Sequence, residues 1–335
     1  MKIKQLLLTA IILIATSLMF ATEVTINGDN YDVTATYEDT SYPGEAFFVR
    51  LTIESHKKNI KLDVKATAEL SGKKTISKAD FYYLQPKAKA KNVTQMLVGL
   101  PMWSWQGVEK NTKITVTYSI NDEEENSFEL PVTIAPKKYP SEVIHLNSKL
   151  SDLIGKPDPE KKEQSRILNE TLATITPEDV YEYTGFIRPT TGTRITSEFG
   201  QTRTFVYSNG KEAPSYHAGL DFGIPTGTEV SACGAGKVVM ARWRIVTGYS
   251  VIIEHLPGLY SIYYHLSELK CKEGDIVKKG DLVALSGATG LATGPHLHWE
   301  IRMNSVALEP DSFVKNYAYQ PTKDKVEVKD ETESN

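Results

Sequence analysis

The stretch "HAGLDFGIPTG" (217–227) decides how the second half of the chain is interpreted. Gly219 and Pro225 within it argue against a helix and favour a short strand that ends in a turn. On a strand, residues an even number of positions apart project from the same face, so His217 and Asp221 would point to one side. The stretch therefore predicts two side chains of metal-ligand type on one face of a strand.

A second histidine motif lies in "TGPHLHWEI" (293–301), where His296 and His298 again share one face of a predicted strand. His265 ends the strongly strand-forming run "YSIYYHL" (260–266). Two histidines and one aspartate are enough to hold a catalytic zinc, which uses three protein ligands and leaves a fourth position for water. Each motif alone is also common as a structural feature, so the residues by themselves leave a metal site and an ordinary pair of strands both open.

Residues 22–137 alternate apolar and polar side chains, which is the period of half-buried strands. Polar or glycine-containing breaks separate these runs every ten or so residues, which favours an antiparallel sandwich of immunoglobulin-like type. The runs are "YDVTATYE", "FFVRLTIES", "IKLDVKATAEL", "KITVTYSI" and "SFELPVTIAP".

Residues 138–185 differ in pattern, and "SRILNETLATI" has helical spacing. Thr176-Pro177-Glu178-Asp179 has the composition of a helix start. We interpret this segment as a short helical linker. Residues 186–318 are strand-like again, and 319–335 are charged and lack aromatic side chains except at the start, which predicts a disordered tail. The fold class expected for the whole chain is all-β.

The first 21 residues begin with two lysines and continue into an apolar run. This predicts a signal peptide with cleavage after Ala21, and hence an exported protein of the periplasm or cell envelope. An uncleaved membrane anchor is the alternative, because Met19 is a poor residue near the cleavage site. A net charge of −4 gives no reason to expect nucleic acid as a partner.

Three further features leave alternatives open. An exported chain could join Cys233 and Cys271 in a disulfide, the rival being two free thiols. Trp103 and Trp105 could form an exposed surface for stacking on sugars, or they could cap a core. His255 precedes a Leu-Pro-Gly sequence and is expected at a turn.

The stretch from Phe186 to about Phe313 resembles the lysostaphin/LytM-type zinc metallopeptidases. The resemblance rests on the order and spacing of several motifs, which cover most of the predicted second domain. They are "TSEFG" (196–200), "HAGLDFGIPTGTEVSACGAGKVV" (217–239), "YYHLSEL" (263–269), "EGDIVKKGDLVALSGATGLATGPHLHWEIR" (273–302) and "EPDSF" (309–313).

The resemblance implies that His217, Asp221 and His298 bind Zn²⁺, and that His265 and His296 are catalytic without binding the metal. It also implies a C-terminal LytM-type β-sheet domain that hydrolyses peptide cross-links or bridges of bacterial peptidoglycan. Two positions depart from the family pattern. Arg203 stands one residue later than the family's usual arginine, and Ala292 replaces a frequent serine.

Two other function classes share features with this sequence. Some members of this family lose metal ligands and regulate or activate other cell-wall hydrolases, whereas all five positions are filled here. The stretch "EGDIVKKGDLVAL" (273–285) resembles hairpins of lipoyl-type carrier domains, but the modifiable lysine motif is lacking. The N-terminal domain is expected to position the enzyme or gate its groove, with another cell-envelope protein as a partner, or to act only as a spacer.

Overall fold

A computed structural model describes residues 22–86, 92–182 and 184–315. The predicted signal peptide (1–21) and the predicted tail (319–335) lie outside the described residues. Within the described ranges, no helix has the length and apolar character needed to cross a membrane.

The first part of the chain consists almost entirely of strands. They are Thr22–Asn27 (β1), Tyr31–Tyr37 (β2), Thr40–Ser41 (β3), Ala46–Ser55 (β4), Val64–Ser71 (β5), Thr75–Asp80 (β6), Tyr82–Tyr83 (β7), Val93–Pro101 (β8), Lys113–Ile120 (β9), Asn126–Pro131 (β10) and Thr133–Ile134 (β11).

These strands form a sandwich, as the alternating sequence predicts. One sheet has the order β1-β2-β4-β8-β7 and the other β10-β9-β5-β6. In β9 every second side chain is buried, so that Ile114, Val116, Tyr118 and Ile120 face the opposite sheet. The alternating apolar residues of the sequence therefore form the inner face of the sandwich.

The connecting segment contains one strand and two helices: Ser141–His145 (β12), Ser148–Gly155 (α1) and Pro159–Ala173 (α2). Asn147 caps α1 and Asp158 caps α2, each with a side-chain oxygen that accepts backbone N–H bonds. The helix expected from Thr176 is wrong, because the chain makes only a turn there. The linker is also not purely helical, since β12 adds to a sheet of the following domain.

The second part of the chain forms the remaining elements. They are Ile195–Ser197 (β13), Thr202–Val206 (β14), Glu212–Tyr216 (β15), Leu220–Phe222 (β16), Glu229–Ser231 (β17), Gly236–Arg244 (β18), Gly248–Leu256 (β19), Leu259–Leu266 (β20), Glu268–Leu269 (β21), Ile276–Val277 (β22), Leu282–Leu285 (β23), Leu297–Met303 (β24), Val306–Leu308 (β25) and Ser312–Lys315 (α3).

A large antiparallel sheet, with the order β13-β16-β24-β20-β19-β18-β22, is the frame of this domain. β12, β14 and β15 form a separate three-stranded sheet beside it, and β17, β23 and β21 form another. The strands β16, β24 and β20 are neighbours in the large sheet. Residues far apart in sequence are thereby brought to the same place.

The two domains share a core. Phe48 of the sandwich packs edge-on against Phe313, with ring centroids 6.2 Å apart. The Glu309 N–H donates to the Gly44 carbonyl at 2.7 Å, and Nζ of Lys137 lies 3.7 Å from Oε2 of Glu309. Apolar burial and backbone hydrogen bonds together fix the sandwich against the second domain.

The structure corrects two sequence expectations about buried groups. Cys233 and Cys271 are free thiols, so the disulfide alternative is wrong. Cys233 points into the core of the second domain, where its sulfur lies 3.7 Å from Nε2 of His255. His255 is not a turn residue. It lies within β19 and is fully buried, with Nδ1 donating to the Ala235 carbonyl at 2.7 Å.

Candidate metal centre

The large sheet brings the two histidine motifs together. Strand β16 pairs antiparallel with β24, and Asp221 stands directly opposite His298 in the register. His217 precedes β16 by three residues. A Cβ on Gly219 would lie 2.3 Å from the Trp299 carbonyl oxygen, so only glycine allows the close approach of these two segments.

Three donor atoms converge between these strands. Nδ1 of His298 lies 2.7 Å from Oδ1 of Asp221. Nε2 of His217 lies 3.1 Å from the same oxygen and 3.1 Å from Nδ1 of His298. All three residues are buried, and one ligand atom from each lies within 4.8 Å of the others. The cluster thus has the size and the donor types of a mononuclear metal site.

The other ring nitrogen of each ligand histidine is held by a hydrogen bond. Nδ1 of His217 donates to the Glu198 carbonyl at 2.7 Å, which leaves the lone pair on Nε2. Nε2 of His298 donates to the Glu300 carboxylate at 3.0 Å, which directs Nδ1 toward Asp221. The Tyr264 ring stacks on His298 at an interplanar angle of 8°. These partners fix the ring orientations that a metal would need.

The electrostatics of the cluster suit a cation. Burial raises the pKa of the Asp221 carboxyl, but the neighbouring His298 and His217 outweigh it and hold that pKa far below its usual range. Burial lowers the pKa of His217. Burial also opposes protonation of His298, yet Asp221 and Glu300 raise its pKa to about 9. Without a metal, a proton on His298 therefore balances the buried carboxylates.

His265 and His296 lie beside the cluster without joining it. Their ring centroids are 4.7 Å apart, and that of His265 is 6.2 Å from that of His298. Nδ1 of His265 donates to the Thr289 carbonyl at 2.7 Å, and Nδ1 of His296 donates to the Gly294 carbonyl at 2.8 Å. Neither Nε2 atom has a hydrogen-bond partner among the described residues, so both face the site as potential proton acceptors.

His265 has an unusual backbone conformation, with a φ of 61°. Residues other than glycine seldom adopt this left-handed region, and such residues cluster at functional sites. The His265 N–H donates to the Thr247 carbonyl at 2.8 Å, which holds the residue in place at the end of β20. Burial, together with the neighbouring His296 and His298, lowers the pKa of its imidazole to about 3. The ring is therefore neutral at pH 7.

The structure adds one side chain that the motifs did not assign. Arg203 on β14 is mostly buried, and its guanidinium lies 3.5 Å from Oδ2 of Asp221. It also donates to Oε1 of Glu142 at 2.8 Å and to the Ser197 hydroxyl. Glu142 belongs to β12, so the linker reaches the edge of the metal centre through this arginine. The parallel pairing of β12 with β14 places the two residues opposite each other, and no local pattern indicates that pairing.

Two histidines and one aspartate, held by adjacent strands of one sheet, have the composition of a mononuclear metal centre. The profile of Peptidase family M23 matches residues 215–310, which contain all five of the histidine and aspartate positions above. This match agrees with the resemblance that the sequence motifs indicate, and it covers most of the second domain.

Among curated relatives, peptidoglycan DD-endopeptidase ShyB of Vibrio cholerae is 41% identical over 108 residues, covering 32% of this chain and 25% of that protein. Lysostaphin of Staphylococcus staphylolyticus is 40% identical over 110 residues, covering 31% and 23% respectively. The chain thus spans about a quarter of the length of these two relatives.

One solved structure resembles the chain over most of its length. It is a putative peptidase M23 from Pseudomonas aeruginosa, with a TM-score of 0.53 and 20% identity. The match covers 83% of this chain and 96% of that chain. It supports the architecture of the two β domains together.

Proposed function

We propose that this protein is a zinc metalloendopeptidase that hydrolyses peptide cross-links or bridges of bacterial peptidoglycan. One observation carries the proposal: three buried donor atoms converge at the junction of β16 and β24, and two further imidazoles lie beside them. Peptidase chemistry requires both parts, a Lewis acid and groups that transfer protons.

The donor set fits zinc. Two imidazole nitrogens and one carboxylate oxygen are common zinc ligands, and a catalytic site keeps a fourth position for water. The hydrogen bonds from His217 to the Glu198 carbonyl and from His298 to Glu300 are the outer contacts that such ligands usually have. When bound, zinc lowers the pKa of its water from about 15.7 to about 7 and polarises the scissile carbonyl.

The chain's own residues do the rest. His265 is neutral at pH 7 with its proton on Nδ1, so its Nε2 can accept a proton from the attacking water. Once protonated, Nε2 can donate a hydrogen bond to the developing oxyanion. His296, whose ring centroid lies 4.7 Å from that of His265, can play the same role. One of them returns a proton to the leaving amine. The division of these two roles between the imidazoles stays open.

Peptidoglycan as the substrate is supported by the relatives named as peptidoglycan endopeptidases. The signal peptide expected at residues 1–21 would deliver the protein to the periplasm or cell envelope, where this polymer lies. A cell-envelope protein partner bound through the N-terminal domain stays a prediction.

Digestion of defined cross-linked muropeptides, with mass analysis of the products, tests the proposal. We expect each cross-linked dimer to yield two peptides whose masses identify the bond that is cut. A protein that releases no product itself, but increases the output of a second cell-wall hydrolase, would instead be a regulator. That result would overturn the proposal.

A further inference from the structure

Three aromatic side chains form one exposed surface at the boundary of the two domains. The rings of Trp103 and Trp105 stack with centroids 4.7 Å apart, and Trp105 contacts the Tyr216 ring at 4.8 Å. The three residues are 39%, 54% and 48% exposed, respectively. We call Trp103, Trp105 and Tyr216 the aromatic ledge.

The ledge does not serve the core of the sandwich. Met102, the residue before it, is fully buried and fills that core, whereas the indoles that follow point outward. Leaving apolar surface in water forgoes roughly 25 cal/mol per Å². The three contiguous rings are therefore available to a ligand that has apolar faces.

The ledge is also held in a fixed position. The Gln106 N–H donates to the Trp103 carbonyl at 2.9 Å and closes a turn, and the Gly44 N–H donates to the same carbonyl at 3.2 Å. The Gly44 carbonyl in turn accepts the N–H of Glu309 from the second domain at 2.7 Å. Because the turn is tied to both domains, a ligand would not have to order it on binding.

The ledge adjoins the metal centre. Tyr216 ends β15 and directly precedes the ligand His217, whose N–H continues the ladder to Gln201. Neighbouring residues on such a ladder project to opposite faces, so Tyr216 lies on the outside of the β14–β15 hairpin while His217 points to the metal centre. β15 is the edge strand of its sheet, and an extended peptide can cross that edge.

Resting on the proposed function, we infer that the aromatic ledge binds the saccharide strand of peptidoglycan. Pyranose rings have apolar C–H faces that pack on indole and phenol rings. A peptide stem of about four extended residues spans at most about 14 Å. A stem cut at the metal centre therefore has its sugar within reach of the ledge. The enzyme holds the polymer by its sugar on one side of the hairpin and cuts the peptide on the other.

Binding of peptide-free glycan strands, prepared by removing the stems with an amidase, tests the inference without any hydrolysis. The full-length protein is titrated with the strands while its tryptophan emission is followed, and sedimentation with insoluble strands gives an independent measure. We expect Trp105→Ala and Trp103→Ala to weaken binding at least about tenfold, which corresponds to about 1.4 kcal/mol.

Trp243→Ala is the matched control. Trp243 lies on β18, away from the aromatic ledge, and it is 47% exposed. Like the ledge tryptophans it contacts another aromatic ring, that of Tyr249, with centroids 5.1 Å apart. It should bind glycan strands like the wild type. In hydrolysis, Trp105→Ala should raise the KM for glycan-attached substrate relative to the KM for a sugar-free cross-linked peptide, whereas the control should not.

The outcomes separate the two proposals. If the wild type does not bind the strands, or if Trp105→Ala and Trp243→Ala bind them equally, the ledge is not a saccharide site even when peptides are cut. If the strands bind through Trp105 but no cross-linked peptide is cut, the saccharide site stands and the proposed peptidase function fails.

Discussion

Glu300 accepts a hydrogen bond from Nε2 of His298 at 3.0 Å, and this contact determines which nitrogen of His298 faces Asp221. Glu300 is itself buried and paired with Arg302, whose Nε donates to it at 2.7 Å. Burial raises the pKa of the Glu300 carboxyl, but Arg302 and His298 outweigh it and lower that pKa to about 2. The Glu300 carboxylate therefore stays ionised next to His298, one of the three candidate metal ligands.

Replacing Glu300 should consequently weaken the metal site without removing a ligand. Glu300→Gln keeps the shape but loses the charge that orients and polarises His298, and we expect zinc affinity to fall by about 10- to 100-fold. Competition with a chromogenic chelator measures the affinity. Glu268→Gln, an exposed carboxyl on β21, is the control and should leave it unchanged. An affinity for Glu300→Gln equal to that of the wild type would show that the contact does not support the ligand.

The division of the histidines predicts two phenotypes. His265→Ala and His296→Ala should retain near-normal zinc and lose turnover by about 10²- to 10⁴-fold, the usual contribution of a proton-transfer group. Zinc content and hydrolysis of purified peptidoglycan are measured on the same preparations. His265→Ala is the cleaner variant, because His296 lies two residues from the ligand His298.

The exposed His145 provides the control for these variants, and His145→Ala should behave like the wild type. His255 is unsuitable because it is buried and bonded to Ala235 and Ser261, so His255→Ala should lower the melting temperature. Wild-type turnover in His265→Ala would refute its catalytic role.

Much of this arrangement follows from the sequence. The period of two predicts β9 and its buried residues, and the glycine between His217 and Asp221 correctly argues against a helix. The expected strand is only partly right, because Asp221 lies in β16 whereas His217 precedes it. Pairing between segments that are far apart in the sequence cannot be predicted in this way. Neither the parallel contact of β12 with β14 nor the approach of Arg203 to Asp221 leaves a local pattern. The burial of His255 was missed because its place is set by packing against distant residues rather than by the turn that follows it.

The buried carboxyl of Glu254 predicts a specific pH dependence of stability. Burial and the nearby Asp179 raise its pKa to about 7, although Tyr260 donates to it at 3.3 Å. The folded state thus binds the proton more tightly than the unfolded state, whose pKa is about 4.3. Stability from this group is complete below about pH 4 and is lost as the pH rises through about 7, by an amount on the order of 3–4 kcal/mol.

Glu254→Gln removes this titration. Urea unfolding of both proteins between pH 4.5 and 7.5 should show the variant gaining on the wild type as the pH rises. The difference between the two curves isolates Glu254 from other titrating groups. A difference that does not change with pH would contradict the raised pKa.

The cysteines should differ in reactivity in the native protein. Cys271 is partly exposed, whereas Cys233 is fully buried and its pKa is raised by burial to about 12. Under native conditions we expect alkylation at Cys271 and none at Cys233, and alkylation at both sites in denaturant without a reductant. Resistance of both sites in denaturant until a reductant is added would reveal a disulfide.

Reconstitution of the metal-free protein with zinc tests the central claim most directly. Hydrolysis of a cross-linked muropeptide is measured while zinc is added in sub-stoichiometric steps to the wild type and to Asp221→Ala. We predict that wild-type activity rises linearly and levels off at about one zinc per chain, whereas Asp221→Ala stays inactive. Full hydrolysis by the metal-free protein, or equal recovery of Asp221→Ala, would contradict the account.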